Sequence, residues 1–342
     1  MRPWQKIVGI IVGAIAVLFL VGCYLLMFHP KLFMRADPEN TYKANGLHGN
    51  VSDLFFVDEN TGIALSSLLY PEKPDSVKVF HTTDAGHNWQ AILEVPDCSP
   101  AFNAIKIGSC VFFAVKNDSI YSIICIDVLS GKHTLSNDKL STLPILFQHD
   151  NKLGYTANGV FYTTDSVFET TDSIGNYNKR PSNKGIAVIG NHIYGFIFDK
   201  DSCVNRLYDF KNQNFVGNSS FSGDVSMIKT TDSSCVILAA KGPRNLEMYD
   251  FDAVNDTLTS TATYEYKIMQ PLKFDNELVY TLVNDRPNAD DFLLATDKSG
   301  QTKATINLNE SNIKAYCITD RMFYYYDQFQ HRIVRLYISG TL

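Results

Sequence analysis

The chain reads as an all-β protein, a seven-bladed β-propeller carried on one N-terminal transmembrane helix. Three observations predict this: a hairpin-turn motif in the first third of the chain, two marker series sharing one period, and a single long apolar run at the N-terminus. The motif is Thr82-Thr83-Asp84-Ala85-Gly86-His87-Asn88-Trp89, of the form Ser/Thr-x-Asp-x-Gly-x-x-Trp, a turn called an Asp box. Its residues suit a hairpin tip. The Asp carboxylate ties up loose N–H groups of its own turn. Gly86 takes a positive φ at little steric cost. Trp89 lays an apolar face over the turn as the return strand starts. The flanks Val77–His81 and Gln90–Leu93 alternate as half-buried strands do. Thr82, Asp84, Gly86 and Trp89 are therefore expected to be structural, with Asp84 a turn residue rather than a catalytic acid.

The first element along the chain is the anchor. Ile7 to Phe28 is a run of 22 residues without a charge, preceded by Arg2 and Lys6. That length spans a bilayer, and it exceeds the apolar core of a cleaved signal peptide. Leu20-Val21-Gly22-Cys23 also matches a bacterial lipobox, which makes a lipoprotein tethered through Cys23 the alternative. Tyr24–Phe28 continue the apolar run and favour the uncleaved helix. Lys31 and Arg35 oppose Arg2 and Lys6 in the positive-inside count, but a long downstream domain translocates largely regardless of charge. The expected organisation is a short cytoplasmic segment at 1–6, a transmembrane anchor at 7–28, a linker with a ring-closing strand at 29–44, and a propeller at 45–342 on the periplasmic or extracellular side.

The blades follow from counting. An Asp recurs after a third strand at Asp84, Asp127, Asp165, Asp209, Asp250 and Asp297, in steps of 43, 38, 44, 41 and 47 residues. An earlier turn is marked by Asp58, Gly108, Asp150, Gly190, Asp232, Asp275 and Asp320, in steps of 50, 42, 40, 42, 43 and 45. A shared period near 40–45 with four short strands per unit means propeller blades. The second unit predicts strands at Phe102–Gly108, Cys110–Lys116, Ile120–Asp127 and His133–Ser136. The sixth predicts Ile268–Asp275, Glu277–Asn284, Asp291–Asp297 and Lys303–Leu308. The last unit offers only Ile313–Thr319, Met322–Tyr326 and Arg332–Ile338. The segment Thr41–His48 is expected to supply its fourth strand, which closes the ring and removes two exposed edges. A six-bladed ring is the alternative.

Ser52-Asp53-Leu54-Phe55-Phe56-Val57-Asp58-Glu59-Asn60-Thr61-Gly62-Ile63-Ala64, followed by the Asp box, resembles one repeat of the photosystem II assembly/stability factor-like proteins. These belong to the wider Asp-box, or bacterial neuraminidase repeat, propellers. The resemblance covers residues 48–95. Later boxes depart from the pattern: Val167 stands where Gly should, Thr170 where Trp should, and Gly300 falls one position late. The resemblance implies a seven-bladed propeller serving as a docking scaffold.

Composition narrows the function. Beyond residue 35 the chain holds 26 basic against 36 acidic residues, with no basic stripe, so no nucleic-acid partner is expected. The six cysteines after Cys23 show no CxxC and no His-rich companion, which argues against zinc. A Cys98–Cys110 bridge is conceivable, since the two flank one strand. No cofactor and no metal site is expected. Sialidase-like chemistry would need an arginine triad, a Tyr nucleophile with a Glu partner and a general acid. Residues 36–179 contain no Arg at all. No GxSxG, HExxH or phosphate-cradling loop is present. Phe323-Tyr324-Tyr325-Tyr326, with Phe329, is the candidate interaction surface: a half-buried strand would leave one or two of Tyr324, Tyr325 and Tyr326 exposed. The expected function is a non-enzymatic, membrane-tethered platform for a protein partner. The alternatives are a cell-surface carbohydrate-binding or glycoside-hydrolase-like protein, and an immunity or inhibitor protein.

Overall fold

The computed structural model describes residues 41–337 apart from 69–75, 242–244, 276–277, 286–289, 309–312, 314 and 320–321. The expected anchor at 7–28 lies outside the described residues. Among the described residues, no helix is long and apolar enough to cross a membrane.

The strands assemble into seven four-stranded antiparallel sheets. β1 (Thr41–Lys43) stands apart from its sequence neighbours. Blade 1 holds β2 (Asn50–Phe56), β3 (Gly62–Leu68), β4 (Ser76–Thr82) and β5 (Gln90–Val95). Blade 2 holds β6 (Ser99–Ile107), β7 (Cys110–Asn117), β8 (Ile120–Asp127) and β9 (His133–Leu135). Blade 3 holds β10 (Leu146–His149), β11 (Lys152–Ala157), β12 (Val160–Thr164) and β13 (Thr171–Asn176). Blade 4 holds β14 (Ile186–Ile189), β15 (His192–Asp199), β16 (Val204–Asp209) and β17 (Asn214–Phe215). Blade 5 holds β18 (Val225–Lys229), β19 (Ser234–Ala240), β20 (Leu246–Asp252) and β21 (Thr257–Tyr264). Blade 6 holds β22 (Lys267–Asp275), β23 (Leu278–Asp285), β24 (Asp290–Asp297) and β25 (Thr302–Asn307). Blade 7 has three strands from the C-terminal end, β26 (Tyr316–Ile318), β27 (Met322–Asp327) and β28 (Arg332–Tyr337). Its fourth strand is β1, paired antiparallel to β28 with Thr41 opposite Val334 and Lys43 opposite Arg332. The chain is an all-β, seven-bladed propeller.

The apolar core is divided among the blade interfaces. Seven buried clusters occur, one between each pair of adjacent blades. Strand geometry explains this. Successive side chains point to opposite faces, so each strand feeds two interfaces. On β19, Cys235 and Ile237 face blade 4, whereas Val236 and Leu238 face blade 6. Strands buried on both faces read as near-continuous apolar runs rather than strict alternations.

In blades 1 to 6 the earlier of the two marker series falls at the first hairpin; its seventh member, Asp320, lies outside the described residues. Gly108, Asp150 and Gly190 take φ near +50 to +60° at equivalent turn positions. The later series needs one correction. In blade 5 the turn aspartate is Asp252, whose Oδ1 accepts the N–H groups of Val254 at 2.9 Å and Asn255 at 3.3 Å. Asp250 sits inside β20, with one carboxylate oxygen buried and unpartnered. Acids two residues apart share one face of a strand, and counting alone does not choose between them.

Candidate functional site

The innermost strands of the blades surround a central channel of about 830 Å³. β2, β6, β10, β14, β18 and β26 contribute to its wall, and the hairpins at Asp150-Asn151 and Thr231-Asp232 form one mouth. The wall mixes apolar side chains (Phe55, Ile105, Leu146, Met227) with Asp53, Lys106, Gln148, Lys229 and Tyr316. Lys106 Nζ donates to the Phe56 carbonyl at 2.8 Å and so ties blade 2 to blade 1. Lys229 pairs with Asp232 at 3.4 Å. Ser52 Oγ donates to Asp53 Oδ2 at 2.8 Å. Burial pushes the Asp53 carboxyl above its usual range, and the serine bond only partly offsets this. Tyr316 is pushed up by burial and then by the charges of Asp53 and Asp291. The channel therefore holds a carboxyl and a phenol that both resist ionisation, beside two lysines. None of these groups stands out in the sequence. The signal that finds them is positional: they are the side chains of the first strand of each repeat.

The turn after β4 sits at a second site, the seam between blades 7 and 1. Thr82 Oγ1 donates to Asp84 Oδ1 at 2.8 Å and accepts the Gly86 N–H at 3.1 Å. Asp84 accepts the Asn88 N–H at 2.9 Å and the Asn88 side-chain amide at 2.7 Å. Trp89 Nε1 donates to the Gly86 carbonyl at 2.7 Å, and its ring is buried. Burial opposes ionisation of Asp84, but the two Asn88 bonds, the Thr82 hydroxyl and the neighbouring His87 hold its carboxyl below the usual range.

The same turn grips the closing strand. The Asn45 N–H donates to the His87 carbonyl at 3.0 Å, and the Trp89 N–H to the Asn45 carbonyl at 2.8 Å. The Tyr42 hydroxyl donates to the Ala85 carbonyl. The Tyr42 and His87 rings stack at 3.7 Å. Gly86, at φ +93°, leaves room for Ile333 of blade 7; a Cβ there would lie 3.2 Å from that side chain. The sequence placed Thr82, Asp84, Gly86 and Trp89 in one turn and missed that the turn is a clasp on residues 42–45.

Tyr324, Tyr325 and Tyr326 do not form a surface. All three are buried. Tyr325 packs into the cluster between blades 6 and 7, and Tyr324 and Tyr326 into the one between blades 7 and 1. Tyr324 stacks on Phe56 at 4.1 Å, and its hydroxyl donates to the Glu59 carbonyl at 3.2 Å. The expectation failed because β27 is an inner strand of its blade, and each of its sides looks at another blade. Cys98 and Cys110 are not bridged. None of the six described cysteines is in a disulfide, and Cys98 Sγ donates to the Val95 carbonyl at 3.1 Å.

Four of the eight exposed large apolar side chains among the described residues sit instead at hairpin tips. Leu129, Val167, Val254 and Phe329 each occupy the second position after a turn aspartate. Asp127, Asp165, Asp252 and Asp327 hold their N–H groups at 2.9, 3.1, 2.9 and 3.0 Å. Phe329 is 86% exposed and Val254 76%. The backbone that displays them is fixed by the aspartates, as in an Asx turn.

The sequence matches no protein-family model and no curated protein. Solved structures do match. A chain in the crystal structure of the Mitotic Checkpoint Complex has a TM-score of 0.60 at 11% identity, covering 89% of this chain and 95% of that one. YCF48 bound to D1 peptide gives a TM-score of 0.52 at 11% identity, covering 88% and 96%. The β-propeller domain of the Trilobed protease from Pyrococcus furiosus, described as having an open velcro topology, gives 0.55 at 10% identity, covering 86% and 99%. At these identities the likeness shows the propeller fold alone.

Proposed function

We propose that this protein is a membrane-tethered propeller that binds another protein outside the cytoplasm and serves as an assembly scaffold. The observation that carries this reading is the display of Leu129, Val167, Val254 and Phe329 on aspartate-locked tips. Exposed apolar groups on a pre-organised backbone lose little conformational freedom when a partner covers them. The blades supply the rigid frame, and the loops supply the contact surface. Two of the similar structures, the checkpoint complex and YCF48 with its D1 peptide, are themselves complexes, which supports the same reading. The tether is proposed from the apolar run Ile7 to Phe28, which leads into the closing strand β1.

The test is mild crosslinking in native membranes, followed by solubilisation of the full-length protein. A membrane or envelope protein recovered in near-stoichiometric amount is the expected result. Recovery of the propeller alone would overturn the reading and turn attention to a small ligand in the central channel.

A further inference from the structure

We propose that the outer rim of blade 4 is the docking site for an acidic segment of the protein partner. This rests on the scaffold reading and names the chemistry of its contact. Beyond residue 35, no arginine precedes Arg180, and the propeller as a whole is acidic. At blade 4 this changes. Lys179 and Arg180 lie exposed on the connection from β13 to β14, and Arg206 lies half-buried on β16. Arg206 Cζ stands 3.9 Å from the centroid of the Phe215 ring. Lys179 Nζ stands 4.6 Å from the same ring and 5.4 Å from that of Tyr208. Tyr208 meets Phe215 edge-on at 5.1 Å.

Two cations around one aromatic ring would repel each other unless the ring's negative faces held them. The ring orients both charges without neutralising either. Several cations elsewhere in the propeller are paired with carboxylates: Lys78 with Glu94, Lys184 with Asp224, Lys241 with Glu247, Lys303 with Asp297, and Arg332 with Asp327. Among the described residues, Lys179, Arg180 and Arg206 form no such pair. Arg206 shares the field of the Asp199 carboxylate, which accepts bonds from the Ser202 hydroxyl and the Asp201 N–H, without pairing with it directly. The rim is a pre-organised positive site in an acidic propeller, and charge complementarity selects an acidic segment. Binding to an anionic lipid surface is the competing outcome of the test. Blade 4 is three blades from blade 1 and three from blade 7, opposite the seam where the chain enters the ring.

The test uses the full-length protein and a fluorescein-labelled polyglutamate peptide, read by anisotropy across a salt series. The wild type should bind, and added salt should weaken binding. The double variant Lys179→Gln/Arg206→Gln should weaken it about tenfold. Lys132→Gln/Lys139→Gln, which removes two exposed charges from blade 2 and its connection to blade 3, should leave it unchanged. Lys179→Gln and Arg180→Gln alone lie on an exposed connection, and they keep the test valid if the Arg206 variant misfolds. Equal loss in both doubles, no binding by wild type, or binding to phosphatidylglycerol vesicles but not to polyglutamate would overturn the proposal. Crosslinking separates this from the scaffold reading. If Lys179→Gln/Arg206→Gln still captures the partner at wild-type yield, the rim is not the docking site and the scaffold stands. If the wild type binds polyglutamate through the rim yet captures no partner, the scaffold fails.

Discussion

The turn after β4 and the turn after β12 begin with the same chemistry and end with different work. At both, an aspartate carboxylate gathers N–H groups from the residues that follow it: Asn88 for Asp84, and Val167, Glu169 and Thr170 for Asp165. At Asp84 the turn then bonds outward to Asn45 and Tyr42, and its tryptophan fills the space behind Gly86. At Asp165 the hydrogen bonds stay within the hairpin. Its contact with the preceding blade includes the ring of Phe168, edge-on to Phe112 at 6.3 Å. Blades 2 and 3 are already joined by continuous chain, whereas blades 7 and 1 are joined through β1. The difference teaches that an Asp-type turn is a local device which becomes a ring clasp where a free strand has to be held.

Substitutions at the two turns test this contrast. Trp89→Ala should have the largest effect, about 3–5 kcal/mol, because a buried indole leaves a cavity at the seam. Phe168→Ala removes a half-buried ring and should cost about 1–2 kcal/mol. Denaturant midpoints measure both, and equal losses would break the comparison. Asp84→Ala should cost about 2 kcal/mol and Asp165→Ala about 0.5–1 kcal/mol, in the range of lost capping bonds. The Asp84 value stands at the upper end because its turn also orders residues 42–45.

A smaller effect is expected on acidification. The Asp84 carboxyl is held below its ordinary value in the folded protein. Its stabilisation is therefore complete above the unfolded carboxylate pKa of about 3.9 and is lost as pH falls through the lower folded value. Trp89 is one of two tryptophans, and the other is Trp4, so acid-induced change in indole fluorescence should report the seam. Asp84→Asn should remove that low-pH component. Asp53 has the opposite sign. Its raised carboxyl costs stability at neutral pH, and Asp53→Asn should relieve part of that cost, raising the thermal midpoint slightly while leaving the seam untouched.

Much of the fold was legible because propeller punctuation is local. Asp58, Gly108, Asp150 and Gly190 mark first hairpins since a tight turn needs a residue that tolerates positive φ or binds its own backbone. The predicted strands of blades 2 and 6 fall within a few residues of the observed ones, for example Phe102–Gly108 against Ser99–Ile107. The site was less legible, for three physical reasons. Alternation says that a strand has two faces but not that both are covered, so the pattern at Tyr324, Tyr325 and Tyr326 cannot distinguish a half-exposed strand from a fully buried one. Acids two residues apart are equivalent to a counting rule, which is why Asp250 stood in for Asp252. The pairing of Arg206 with Phe215 across β16 and β17, and the approach of Lys179 from another blade's connection, depend on tertiary contact that no local pattern carries.

The most direct test of the clasp is hydrogen exchange followed by mass spectrometry, comparing full-length wild type with Asp84→Ala. Exchange protection reports local opening free energy segment by segment. If the turn holds the ring closed, amides of residues 41–47 and of β28 lose protection in the variant while those of blades 3 to 5 stay as in wild type. Protection lost evenly around the ring, or lost only within residues 82–89, would contradict the clasp and leave Asp84 as an ordinary turn residue.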